Sequence, residues 1–412
     1  MQGRSKRKRS NSQGELPVTG VCIPELSGVD NVVADFMGKW GNPGMSVAIA
    51  KDGRLIYARG FGYANVEESE LVKLNTLFRI ASISKCITAV AIMKLIQDGI
   101  LDIDDKVFGA NGILNDAKYS DIKDENVRDI TVRNLLQHTG GWDVAKLGYD
   151  PLMNSVNIAK AMNVSPPVDQ TNIIRYVLAN ESLSFAPGSK FSYSNFGYCI
   201  LGRIIEKLNP GMSYEEHVKS SILAPIGAGG MKIAGNFYHE RASNEARYYS
   251  DFGQLVSSIY GTSEMVPWAY GGIDMRAYDS AGGWITSSID MLRFLMAIDG
   301  FREEICILNP ATIKLMTTVP SGIKYEFPFS GYAMGWNIDG DSWDHLGAHE
   351  GTCSAFLIRR NDGVECAVLS NYFTGYQIWE FMMSYIEALW QMTYNVLDGI
   401  TVWPTHDLFR QT

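Results

Sequence analysis

The chain has 412 residues, 46% of them hydrophobic and 20% charged, enough to bury a large core in one globular unit of two interlocked subdomains. Its net charge of −9 argues against nucleic acid as the main partner. No stretch is apolar and long enough to span a membrane, and no apolar signal segment follows the basic N-terminus, so the chain as given reads as cytoplasmic, a leader already removed being invisible to this reading.

Taken in order, residues 1–20 hold the basic cluster Arg4, Lys6, Arg7, Lys8 and Arg9 with no apolar periodicity before Val18, the pattern of a disordered tail. Residues 25–39 repeat Val29, Val32, Val33, Phe36 and Met37 at helical spacing. Two β-rich runs, Met45 to Ala50 and Arg54 to Gly60, join through Lys51-Asp52-Gly53, a hairpin signal. From Arg79 an apolar run reads as a buried helix ending at Gly99, with Ser82-Ile83-Ser84-Lys85 at its start. Residues three apart share a helix face, so Ser82 and Lys85 can touch while Ser84 points elsewhere. A serine in the first turn sits beside free backbone N–H groups and the positive end of the helix dipole, and a lysine kept neutral by burial can take its proton. Taken alone, such a pair is far more often a helix cap beside a snorkelling lysine than a catalytic pair.

Thr131 caps a short helix that stops at His138-Thr139-Gly140-Gly141-Trp142, where His138 reads as a structural residue satisfying loop backbone. Helices follow at 169–180 and from Tyr198 to Leu208. Before the second stand Tyr193, Ser194 and Asn195, which by themselves suit a turn and an N-cap. Residues 236–280 are rich in aromatics and poor in periodicity, either the wall of a pocket or packed surface. A helix from Met291 to Ile298 precedes strand patterns at Tyr332 to Ile338, Ser354 to Arg359 and Val364 to Ser370, then a long helix from Gly375 to Val396. The cysteines Cys22, Cys86, Cys199, Cys306, Cys353 and Cys366 show neither C-x-x-C pairing nor zinc-type spacing, which predicts free thiols. A tight turn at Asn361-Asp362-Gly363 would set Cys366 opposite Ile358 rather than Cys353. Strands at both chain ends and helices between predict an α/β (α+β) fold: residues 21–80 and 281–400 form one antiparallel sheet flanked by helices, and residues 81–280 a mainly helical domain.

Ser82-x-x-Lys85, Tyr193-Ser194-Asn195 and His349-Glu350-Gly351 occur in the order of the three motifs of the serine β-lactamase and penicillin-binding protein superfamily, and the Tyr-x-Asn form resembles its class C branch, with its esterases, peptidases and amidases. Phe78-Arg79-Ile80-Ala81, Leu135 to Gly141, Phe185-Ala186-Pro187-Gly188, Ala281-Gly282-Gly283 and Gly331 to Trp336 also look like that group, so the likeness runs from about residue 25 to 398. It implies an active site between the two domains, a nucleophilic Ser82, Lys85 and Tyr193 as base and proton shuttle, Asn195 orienting the substrate and fixing Lys85, oxyanion donors at Ser82 and Thr352, and no metal or organic cofactor. His349 and Glu350 replace the lysine-threonine pair with which many relatives bind a carboxylate. The expectation is hydrolysis of a small-molecule ester or neutral amide, with the aromatic segment in its pocket. A β-lactamase or D-alanyl-D-alanine-type peptidase, an acyltransferase and a non-catalytic scaffold are the alternatives. Oligomeric state is not legible.

Overall fold

The computed structural model describes residues 16–250, 255–302, 305–349, 353–374 and 379–410. The basic tail lies outside them.

The sheet begins with a hairpin. β2 (Gly44–Lys51) and β3 (Arg54–Asn65) turn at Asp52-Gly53, where both residues have positive φ, as a two-residue hairpin turn requires. Val18–Thr19 (β1) and Glu70–Leu71 (β4) pair with β3. The other half arrives from the far end of the chain: β10 (Asn337–Asp339), β11 (Ser342–His349), β12 (Cys353–Arg359) and β13 (Val364–Ser370), in the order β1-β3-β2-β13-β12-β11-β10. Its register places Cys366 opposite Ile358, as the tight turn predicts. β12 and β13 are buried along their whole length because both sheet faces are covered, which is why they read as unbroken apolar runs.

One face packs on α1 (Ser27–Trp40) and α12 (Trp379–Asp398). The other packs on α2 (Ser84–Gln97) and α10 (Ser288–Met296). Between the two halves of the sheet lie α3 (Val132–Leu136), α4 (Val144–Leu147), α5 (Ser155–Met162), α6 (Gln170–Asn180), α7 (Asn195–Leu208), α8 (Tyr214–Val218) and α9 (Asp279–Gly282), and α11 (Pro310–Met316) follows α10. This region also holds strands that the sequence pattern does not suggest. β5 (Phe78–Arg79), β9 (Trp284–Thr286) and β6 (Lys232–Ile233) make a small sheet, and β7 (Leu255–Ser257) pairs with β8 (Met265–Pro267). At two or three residues each, they are too short to carry a period.

α2 is apolar on every side and buried from Ser84 to Met93, the signature of a central core helix. α7 lies against it, and α9 is bound to α7 where Arg203 Nη2 donates to Asp279 Oδ2 at 2.6 Å. A second close approach joins sheet to helix. A Cβ on Gly347 of β11 would stand 2.0 Å from the Ile80 carbonyl oxygen, so only glycine lets the strand lie against the turn that leads into α2. Gly347→Ala is expected to push these elements apart, costing about 1–3 kcal/mol in urea unfolding. An unchanged stability would show that the strand can move away freely.

Candidate active site

The turn Ala81–Ile83 is a single 3-10 turn in front of α2, and buried Ala81 holds φ at +44°, a conformation costly for a residue with a Cβ. That turn points Ser82 toward the sheet. Lys85, one turn on, is fully buried, and its Nζ donates to the Ala281 carbonyl at 2.6 Å and to Ser82 Oγ at 3.1 Å. The aromatic rings of Tyr193 and Tyr198 lie 4.8 and 5.8 Å from the same nitrogen. Burial pulls the Lys85 amine down to about 7, partly opposed by the negative charge of Asp150. Ser84 points the other way, its Oγ accepting from Trp284 N.

Burial raises the Tyr193 phenol above the ordinary range and keeps it protonated, an effect that the neighbouring Ser82 side chain partly opposes. His138 fixes the segment carrying Tyr193. Its Nδ1 accepts from Ser194 N at 3.1 Å, its carbonyl accepts from Ser192 N, and its ring packs 4.3 Å from that of Tyr193. Burial drives the His138 imidazole far below its usual pKa. It therefore serves the loop backbone, as the sequence suggests.

One predicted contact, that of Asn195 with Lys85, differs. Asn195, the first residue of α7, donates from Nδ2 to Asp150 Oδ2 at 2.7 Å, and it is the Ala281 carbonyl that holds Lys85. The cap of α7 is Ser194, whose Oγ accepts from Gly197 N. His349 turns toward α9, where its Nε2 must carry the proton it donates to the Gly282 carbonyl at 3.1 Å, and burial holds the ring down at about 4. Its Nε2 is spent on that carbonyl. Glu350, Gly351 and Thr352 lie outside the described residues, and with them the second oxyanion donor.

The aromatic segment packs behind the turn that carries Ser82. Tyr248 OH accepts from Arg79 N and donates to Glu245, Tyr270 OH accepts from Tyr248 N, and Tyr248, Ala269 and Tyr270 cluster with Ala81. Tyr278 alone of the described aromatics there reaches the Asp150 pair, donating to its Oδ2 at 3.1 Å. A cavity of about 330 Å³ beside Ser82 and Tyr193 is walled instead by Phe327, Phe329, Leu346 and Trp390, with no residue of 236–280 among its described lining. Among the described residues no group of His, Cys, Asp and Glu is placed to hold a metal ion.

Asp150 is the residue that motif spacing cannot find. It caps the turn Pro151–Met153 in a loop, its Oδ1 accepting from Leu152 N, and only the folded chain brings it to Asn195 and Tyr278.

A Beta-lactamase family model matches residues 29–382. The chain belongs to this family. Penicillin-binding protein 4* of Bacillus subtilis (strain 168) is 33% identical over 224 residues, 54% of this chain and 44% of that protein, so the alignment spans less than half of that relative's length. Among solved structures, D-amino acid amidase from Ochrobactrum anthropi superposes with a TM-score of 0.69 at 20% identity, covering 91% of this chain and 99% of its own. EstCE1, described as a hydrolase with promiscuous acyltransferase activity, superposes at 0.68 with 23% identity, covering 90% and 98%. Both show the family's fold. No helix among the described residues is long and apolar enough to cross a membrane.

Because the Asp150 charge raises the Lys85 pKa, Asp150→Asn is expected to lower it. The acid limb of Ser82 labelling by a neutral fluorophosphonate should then move to lower pH. A limb that stays in place would remove Asp150 from the electrostatics of Lys85.

Proposed function

We propose that the protein is a serine hydrolase that cleaves esters or amides through an acyl-enzyme on Ser82. The observation that carries this reading is the buried Lys85 amine, 3.1 Å from Ser82 Oγ and close to neutrality at physiological pH. With Lys85 neutral, its lone pair lies along the Ser82 hydrogen bond and takes the hydroxyl proton as Oγ attacks the carbonyl. Such positioned proton transfer contributes about 10²–10⁴-fold. Tyr193, protonated and lining the same cavity as Ser82, then delivers a proton to the leaving oxygen or nitrogen. The proton that Lys85 took from Ser82 then returns to the Tyr193 phenolate, beside whose ring the Lys85 nitrogen lies, so both groups end in their starting protonation states. Water attacks the acyl-enzyme with the same pair acting in reverse. The backbone N–H of Ser82, with that of Thr352, would receive the oxyanion, each such donor contributing about 3 kcal/mol.

The preference for substrates without a carboxylate rests on charge. His349 is neutral, and the cavity beside Ser82 carries Asp339, Asp344 and Glu387. An anionic ligand meets repulsion there and no balancing cation in its described lining. The D-amino acid amidase and the EstCE1 hydrolase, with its promiscuous acyltransferase activity, are hydrolases on this same fold and support the reading.

Hydrolysis of p-nitrophenyl butyrate should rise with pH through about 7, as Lys85 loses its proton, and then level off, with no inflection from His349 above pH 5. Ser82→Ala should lower the rate by roughly 10⁴-fold or more, and intact-protein mass should place a fluorophosphonate adduct on wild type alone. Full activity in Ser82→Ala would refute the nucleophile. Turnover of nitrocefin far faster than of the butyrate ester would refute the charge argument.

A further inference from the structure

A proton donor has to be aimed, and the rings around Tyr193 set its direction. Tyr332, fully buried in the turn between α11 and β10, is the ring that they share. It lies 4.6 Å from the ring of His138, 5.7 Å from that of Phe191 and 5.5 Å from that of Phe329, and it meets Tyr193 itself edge-on at 6.2 Å. The same neighbours hold Tyr193. His138 packs on its ring at 4.3 Å, Phe329 stacks on it at 5.6 Å with the planes 18° apart, and Phe191 stands two residues before it in the same segment. In so dense a cluster a shift of Tyr332 displaces its neighbours.

Tyr332 is fixed in turn through its hydroxyl. Side chains alternate along β11, so buried His345 projects to the same side as Gly347 and His349, toward the helical region. Its Nδ1 lies 2.6 Å from the Leu346 carbonyl oxygen, which can only accept, so Nδ1 carries the hydrogen. Burial holds the imidazole down at about 3, which keeps it neutral and leaves a lone pair on Nε2. The Tyr332 hydroxyl, 3.1 Å away, therefore donates to Nε2. The backbone of β11 thus selects the tautomer, and the tautomer selects the direction of the tyrosine hydrogen. Two residues on, Gly347 of the same strand lies against the Ile80 carbonyl at the turn that carries Ser82. One strand holds the nucleophile's turn with its glycine and the ring cluster of Tyr193 with its histidine.

We propose that Tyr332 is a positioning residue for Tyr193: its hydrogen bond to His345 fixes the ring cluster that directs the Tyr193 phenol, and protonation of the leaving group depends on that bond. The role rests on the hydrolase reading for its proton step, whereas the tether itself does not. In the step, the carbon–leaving-atom bond breaks with its electron pair going to the leaving atom, and the Tyr193 O–H bond breaks as its proton joins that atom. Tyr332 and His345 exchange no proton. Misdirection of the phenol matters in proportion to the need for that proton. Ethoxide or an amide anion is too basic to leave without it, and p-nitrophenolate leaves unaided.

Tyr332→Phe keeps the ring and removes the bond. The test compares kcat/KM for ethyl butyrate and for p-nitrophenyl butyrate, a ratio that leaves out the deacylation both esters share. For the ethyl ester kcat/KM should fall at least about tenfold, within the range of one positioned proton transfer, and for the nitrophenyl ester by no more than about threefold. An equal loss on both esters, the mark of loosened packing alone, overturns the positioning role. His345→Asn, which lacks an acceptor where Nε2 stands, should reproduce the shift in ratio, and His345→Gln, whose amide oxygen reaches that place, should keep the wild-type ratio. Should Tyr332→Phe fail to fold, this pair decides, and equal ratios in the two variants overturn the role. Amide hydrogen exchange read by mass spectrometry should become faster over residues 191–195 when the bond is removed, and unchanged exchange there overturns the tether. Wild type that hydrolyses neither ester refutes the hydrolase reading, and the exchange result then judges the tether by itself.

Discussion

The structure depends on keeping one amine dry. Lys85 sits on a helix that is apolar on every side, and a primary amine in such a place is tolerable only if it sheds its proton or finds acceptors. It does both in part, with the Ala281 carbonyl and Ser82 Oγ taking its hydrogens and burial easing the proton off. Much of the surrounding architecture enforces that dryness. Gly335 fits its backbone against the first turns of α2, Gly347 does so against Ile80, and the rings of Tyr193 and Tyr198 cover the nitrogen. The carbonyl that holds Lys85 belongs to α9, which the Arg203–Asp279 pair locks to α7, the helix that also starts at Asn195. The elements carrying the motif residues are thus braced against one another through buried polar contacts.

Much of the fold is legible in the amino-acid order alone. The hairpin of β2 and β3, the amphipathic α1, the capped α3 and the paired β12 and β13 all follow from local pattern, because each is either half-buried at a clear period or fully buried and bounded by a turn. β11 is not legible as a full strand. Ser342-Trp343-Asp344-His345-Leu346-Gly347-Ala348-His349 is too polar to resemble a central strand, since its side chains serve a cleft on one face and a cavity on the other. Asp150 is invisible for another reason. Its partners Asn195 and Tyr278 come from distant segments, and a lone aspartate in a loop before proline already has an ordinary explanation as a cap. The aromatic segment is open to two readings from its composition. It fills the space behind Ala81, and the pocket walls come instead from the segment around Phe327 and from α12, a helix whose sequence reads only as amphipathic.

The histidines illustrate how environment overrides reference chemistry. His138, His345 and His349 are buried, and each has its ring pKa driven down. A family motif that ends in histidine invites an ionisable role, yet His349 is stationed as a neutral donor to the backbone of α9, next to Tyr278. His349 thus adds no positive charge beside Ser82, where Lys85 is the cation in hydrogen-bond contact and Arg79 is paired with Glu245. The acids lie on the opposite side of β11.

The joining of the sheet from both chain ends has a kinetic side. Cys86, one residue beyond Lys85, bonds to the Gly335 carbonyl across 249 residues, and β2 finds its neighbour β13 only when the last third of the chain is present. Contacts of such sequence separation form late, because the intervening loop must lose its entropy before they are rewarded. During synthesis, the helical region between can collapse while the serine turn still lacks the strand that faces it. Until the C-terminal strands dock, Lys85 lacks part of the cover that burial gives it in the complete fold, so the environment of Ser82 and Lys85 is a product of the whole chain.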